Sequence, residues 1–190
     1  HVHTLVPQEN AVGGKILALD SYEKIRTFDL LRAAIVGSEN NMALALAHAT
    51  EISEKDFIQL MNEKAKALGM EKSEFRDVVG LDPQSRTTAK DLLLLTQAAL
   101  SREEIRVPAG MKEHLMETVE KKTFKRVAST DKLLWDNDVR VTAGKTGTLD
   151  EAGYNLVIEA EVRGHSVLVV VLGASSDQKR FEEAKTLIQW

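Results

Sequence analysis

The chain has 190 residues, 43% hydrophobic and 28% charged, with 11 glycines and 3 prolines; this make-up fits one packed domain and excludes a collagen-like, coiled-coil or disordered chain. Its 25 basic and 29 acidic side chains leave a net charge of -4, so no electrostatic field draws a phosphate backbone and nucleic acid is not an expected partner. The absence of cysteine excludes a disulfide framework, a thiolate nucleophile and a zinc-cysteine site.

Residues 1–25, with turn signals at Gly13, Gly14, Asp20 and Ser21 around the short apolar run 16–19, read as connection. Thr27 is placed to cap a helix whose stripe is Phe28, Leu31, Ala34 and Ile35 and whose stop is Gly37. The polar break Ser38-Glu39-Asn40-Asn41 then forms a loop, and residues 42–49, apolar almost throughout, form a short buried helix. Ser53 and Asp56 open a helix carrying Phe57, Met61, Ala65 and Leu68, closed by Gly69. Thr88 and Asp91 repeat that start before Leu92, Leu95, Ala99 and Leu100, and the spacing of Met111, Leu115 and Val119 predicts another helix after Pro108.

From Asp138 the period changes, and three segments separated by turns near Gly153 and Gly164 read as consecutive antiparallel strands. Residues 167–172 are apolar at every position, which predicts a central strand covered on both faces and flanked by two neighbours, of which the chain offers one. The end of the chain, 177–190, returns to helix. The expected fold class is α/β (α+β): one domain over 1–190, with a mainly helical part at 26–137 and three antiparallel strands plus a terminal helix at 138–190. The longest apolar run falls far short of the ~20 residues that span a bilayer.

Gly144-Lys145-Thr146 has the ending of a phosphate loop, but Val139 stands where the loop's first glycine belongs, and a strand leads into it. His1 and His3 sit at a metal-like spacing at a terminus, while His48, His114 and His165 have no partner at ligand spacing, so no metal site is expected. The run Lys121, Lys122, Lys125 and Arg126 is a solvated face. What stands out is a pair: Ser38-x-Asn40 between two helices, and Lys145-Thr146-Gly147-Thr148 on a strand followed by two more strands and a terminal helix.

In that order the pair resembles the second and third signatures of the penicillin-recognising serine enzymes. DLLRAAIVGSENNMALALA around Ser38, Gly80-Leu81-Asp82, TTAKDLLLLTQAAL from Thr87, GKTGT with AGYNLV, and VVLGA followed by RFEEAKTLIQW extend the likeness over most of the chain. These stretches look like the serine-type D-alanyl-D-alanine carboxypeptidases, low-molecular-mass penicillin-binding proteins that trim peptidoglycan. The resemblance implies a β-lactamase/transpeptidase-like fold, an extracytoplasmic location, peptidoglycan stem peptides as substrates, β-lactams as acylating ligands, and no metal or organic cofactor. It implies that Ser38 relays a proton to the leaving D-alanine nitrogen, and that Asn40 holds the substrate amide and helps orient a catalytic lysine. Lys145, with Thr146, Gly147 and Thr148 on its strand, meets the substrate carboxylate through an ammonium and two hydroxyls. The Thr148 backbone N–H supplies half of an oxyanion hole. That strand is expected at a sheet edge, open to a substrate that pairs as an added strand.

The family's first signature, a Ser-x-x-Lys at the start of a buried helix, supplies the nucleophile and its base and belongs well before Ser38. Only Ser21 to Lys24, Ser129 to Lys132 and Ser176 to Lys179 match the bare pattern, and none has the helical context or the order. The expectation is therefore a C-terminal portion whose nucleophile, and whose second neighbour for strand 167–172, lie on an N-terminal segment carried by another, fragment chain. Glu39, between Ser38 and Asn40 where small residues are common, and Asn41, where Asp is more usual, depart from the pattern. A non-catalytic muropeptide-binding or split homologue is the alternative from another class. A serine β-lactamase is the nearest enzyme rival, although its Glu-x-x-Leu-Asn signature is absent from the chain.

Overall fold

A computed structural model describes all of residues 1–190. Strand β1 (Val2–Thr4) pairs antiparallel with β2 (Lys24–Arg26), His3 facing Ile25, and the short helix α1 (Pro7–Asn10) lies between them. The expectation that 1–25 is mere connection is thus corrected. Strands of three residues are too short to show an alternation, yet Leu5, Leu17 and Ile25 from this stretch are buried in a core with Leu30, Met42, Met116 and Val127.

Helix α2 (Thr27–Val36) ends at Gly37 as its sequence predicts, but Thr27 is its first residue and not its cap; the Thr27 hydroxyl instead faces the His1 carbonyl at 3.5 Å. Its buried face is Leu30, Ala33 and Val36, whereas Phe28 is half exposed beneath the Arg32 guanidinium. Apolar residues run almost all round this helix, so their spacing does not fix which stripe is buried. Helix α3 (Asn40–His48) begins two positions before the expected start and takes in Asn40 and Asn41. Helices α4 (Glu54–Ala67) and α5 (Ala89–Leu100) start where their caps predict, the Ser53 and Thr88 hydroxyls accepting the Asp56 and Asp91 amides at 3.2 Å.

After α6 (Glu103–Ala109), which contains Pro108, the predicted helix is instead a hairpin of β3 (Glu113–Glu117) and β4 (Phe124–Ala128), with Leu115 facing Arg126. Positions 111, 115 and 119 share a strand face as readily as a helix face, because their separations are even. The face that is buried is the other one, His114 and Met116, while Leu115 is exposed.

A 3₁₀ turn (Lys132–Trp135) leads into the sheet β5 (Arg140–Leu149), β6 (Gly153–Val162) and β7 (His165–Ala174), antiparallel and in that order, Lys145 facing Val157 and Ile158 facing Val169. Helix α7 (Asp177–Gln189) covers one face through Phe181, Ala184 and Ile188, which share a core with Leu156, Ile158, Ala160, Val169 and Val171. Burying each of the larger of these side chains contributes roughly 1.5–3 kcal/mol. Helix α5 packs on the other side of β7. The strand is covered on both faces as its composition predicts, yet within the chain it pairs with β6 alone. β5 is the opposite edge, and its outer side carries Lys145 towards the junction of α2 and α3.

Candidate active site

Between the end of α2 at Val36 and the start of α3 at Asn40, three residues, Gly37, Ser38 and Glu39, make the corner, and Ser38 turns it with a φ of 56°. A non-glycine residue in the left-handed region costs on the order of 1 kcal/mol and persists only where surrounding contacts hold it. Across the gap, the Lys145 ammonium donates to Ser38 Oγ at 2.5 Å and to its neighbour's carbonyl, Thr146 O, at 2.7 Å. Burial pushes the Lys145 ammonium down to about 8, and the charges of Lys15 and Arg180 add to that shift. The arrangement leaves the Ser38 hydroxyl accepting from a cation, so its own proton is free to be donated elsewhere.

Thr146 is buried, and its hydroxyl is hydrogen-bonded to that of Thr130 at 2.5 Å. Gly147 and Thr148 are exposed on the same edge. The Arg180 guanidinium, reaching from α7, donates to Gly147 O and to Thr148 Oγ1, each at 3.1 Å, leaving the Thr148 hydroxyl proton available. Asn40 is less free: its side-chain amide donates to Gly13 O at 3.0 Å. The structure therefore brings Ser38 and Lys145 into direct contact, strings Thr146, Gly147 and Thr148 along the β5 edge beyond them, and sets Asn40 at the first position of α3 with its amide donor turned to the 13–15 loop.

Residues 129–131 bridge the two walls. The Thr130 amide donates to Val36 O at 3.3 Å, its hydroxyl meets Thr146, and Asp131 lies against Gly144 so closely that a Cβ there would come within 2.1 Å of Asp131 Oδ2. That oxygen has no hydrogen-bond partner in the chain, and burial pushes the Asp131 carboxyl up to about 6. Lys15, Thr130, Asp131 and Arg180 were not singled out from the sequence. A pair of adjacent turn glycines ahead of Lys15 was the one available signal; no motif marks the others, which arrive by topology.

None of the three bare Ser-x-x-Lys matches is a serine–lysine pair in space. Lys24 donates to Glu120 at 2.6 Å, Lys132 to Asp177 at 2.5 Å and Lys179 to Glu182 at 2.8 Å. Ser129 and Ser176 accept the backbone amides of Asp131 and Lys179. His3 and His48 both contact the buried Glu9 carboxylate at 2.8 Å, but no group of three or more His, Asp or Glu side chains is arranged to hold a metal ion. No helix is long and apolar enough to cross a membrane.

The chain matches the family described as D-alanyl-D-alanine carboxypeptidase over residues 4–176. The D-alanyl-D-alanine carboxypeptidase DacC of Escherichia coli strain K12 is 35% identical over 181 residues, which cover 94% of this chain and 44% of that protein. A D-alanyl-D-alanine endopeptidase of Haemophilus influenzae is 30% identical over 158 residues, covering 83% of this chain and 53% of that one. Among solved structures, the Streptomyces K15 DD-transpeptidase superposes with a TM-score of 0.90 at 25% identity, covering 99% of this chain and 77% of that one. The DacD carboxypeptidase of Francisella tularensis superposes with a TM-score of 0.90 at 23% identity, covering all of this chain and 57% of that one. The fold is the transpeptidase-like one these structures share. The chain spans about half the length, or less, of the curated relatives it matches.

Proposed function

The chain belongs to the D-alanyl-D-alanine carboxypeptidase family, and from that premise we propose that it carries one wall of a serine-type active site that removes the terminal D-alanine from peptidoglycan stem peptides in the cell envelope. The observation that carries the reading is the Lys145–Ser38 contact, made between the two signatures that the family resemblance pairs. A serine hydroxyl adds to the carbonyl of the penultimate D-alanine, the C–N bond breaks, and the proton that the hydroxyl gives up reaches the leaving amine nitrogen. Ser38 is the last donor of that relay: held as an acceptor by Lys145, it directs its own proton outward. Water then hydrolyses the ester.

Lys145 has a second task. Its remaining hydrogen and the exposed Thr148 hydroxyl converge on the substrate's terminal carboxylate, a charge-assisted contact worth about twice a neutral one. The Thr148 N–H points to the developing oxyanion, and the unpaired outer edge of β5 receives the peptide as an added strand. Asn40 orients the substrate amide through its carbonyl oxygen, since its amide group is held by Gly13.

The nucleophile sits on a Ser-x-x-Lys helix outside these 190 residues. Two observations support this. An apolar cavity of about 340 Å³ lies behind Lys145, lined by Ile35, Leu92, Leu95, Ala99, Ile105 and Val157 among others, room for apolar side chains projecting from such a helix. The free edge of β7, apolar through 167–172, takes a further strand. The same site is acylated by β-lactams, which mimic the peptide. Incubating the full-length protein with a peptide ending in D-alanyl-D-alanine tests the reading: D-alanine is released, Lys145→Ala abolishes release, and a protein that frees none contradicts it.

A further inference from the structure

The loop ahead of α2, which the sequence predicts to be connection, is fastened to the Ser38 corner through Gly13, Lys15 and Leu17. The Lys15 ammonium donates to Gly37 O at 2.6 Å and pairs with Glu39 Oε1 at 2.9 Å. The Asn40 amide donates to Lys15 O at 2.7 Å. Asn41, fully buried, completes the seam by accepting from Leu17 N and donating to Leu17 O, both at 2.9 Å. Thus a single side chain, Lys15, holds the corner both through its backbone and through the carboxylate that follows Ser38.

The position of one of these bonds matters most. Gly37 O belongs to the peptide plane whose rotation about the Ser38 N–Cα bond is the Ser38 φ. Relaxing that φ from 56° to the ordinary negative range swings the carbonyl away from the Lys15 ammonium. Glu39 keeps the ammonium there. Its side chain is 5% exposed, its only counter-ion is Lys15, and its second oxygen has no partner, so losing the cation leaves a buried charge unpaired. Gly37 fits this arrangement: a Cβ would come within 2.9 Å of Glu39 Oε1 and 2.3 Å of Val127 Cγ1.

We infer that the Lys15–Glu39 pair is a positioning device for Ser38, an ionic clasp that holds the corner in its left-handed turn so that the hydroxyl meets Lys145 and faces the leaving nitrogen. Lys15 and Glu39 act through Ser38 and touch no substrate. The inference rests on the serine-carboxypeptidase reading for its kinetic consequence but not for its structural one.

Three variants of the full-length protein test it. Lys15→Met removes the cation at nearly constant length: kcat for D-alanine release falls about ten- to a hundredfold while KM stays within about twofold, the loss expected when a reacting group is displaced by a fraction of an ångström to an ångström. Lys15→Arg, which donates to both Gly37 O and Glu39, restores most of kcat. The double variant Lys15→Met with Glu39→Gln removes the unpaired buried charge, so its Tm returns towards wild type while kcat does not. Recovery of kcat together with Tm in the double variant, or an unchanged kcat in Lys15→Met, shows a merely structural ion pair and overturns the inference. If the wild-type protein itself releases no D-alanine, that outcome counts against the enzymatic reading, and the clasp is judged on the crystal structure of Lys15→Met. A Ser38 φ that leaves the left-handed region there supports it, and a φ near 56° with the Lys145–Ser38 contact intact overturns it.

Discussion

The Lys145 ammonium and the Ser38 hydroxyl stand 2.5 Å apart although 107 residues separate them along the chain. One comes from an edge strand and the other from a three-residue corner between helices, so the contact exists only when the sheet and the helical layer are packed together. Such a contact serves chemistry better than stability, since a partly exposed Ser38 buries little and its left-handed turn costs energy.

Ser38→Ala is therefore expected to lower kcat for D-alanine release by about 10²- to 10⁴-fold, the range for losing a positioned proton donor. Tm should move by no more than a few degrees. Steady-state kinetics alongside a thermal melt check both halves, and a large fall in Tm would show that the serine is a packing residue.

A pH dependence follows from the Lys145 ammonium being pushed down to about 8 by burial. Below that pH the group is charged and anchors the substrate carboxylate; above it the anchor is neutral. KM is expected to be flat on the acid side and to rise by about tenfold per pH unit once the pH is well above 8, read from initial rates across pH 6 to 10.

Asp131 titrates in the opposite sense. Burial raises its carboxyl from 3.8 to about 6, so the folded protein keeps a proton that the unfolded chain gives up, and stability falls as pH rises from about 4 to 6. Asp131→Asn is neutral throughout and should be the more stable protein above pH 6, by about 1–3 kcal/mol, with the two stability curves converging below pH 4. Asp91, Asp136, Glu159 and Asp177, which hydrogen bonds and nearby cations hold below the usual carboxylate range, act only at lower pH. Chemical denaturation at a series of pH values separates the windows.

Gly144→Ala places a methyl 2.1 Å from Asp131 Oδ2 and 3.0 Å from Ile158 Cγ2. Overpacking of this kind costs about 1–3 kcal/mol, and because Lys145 is the next residue, kcat should fall as well. Adding Asp131→Ala relieves the first of those contacts, so the double variant should be less destabilised than the sum of the two single ones.

The sequence-based reading succeeded where local chemistry decides the structure. Ser53 and Thr88 start helices because their hydroxyls accept the amides three residues on, and the change from helical to alternating period after Asp138 marks the sheet. It failed where spacing is degenerate, as at Met111, Leu115 and Val119, and where elements are too short to show a period, as in residues 1–25. Within the site, Ser38 and Lys145 were visible because their neighbours form recognisable signatures. Lys15, Thr130, Asp131 and Arg180 were not, since each reaches the site from an element whose place depends on long-range packing.

The most direct test of the account is to treat the full-length protein with a penicillin, digest it, and locate the adduct by mass spectrometry. The account predicts one stable acyl adduct on a serine of a Ser-x-x-Lys motif outside these 190 residues, formed much more slowly in the Lys145→Ala variant. An adduct on Ser38, or no adduct on the native protein, would contradict it.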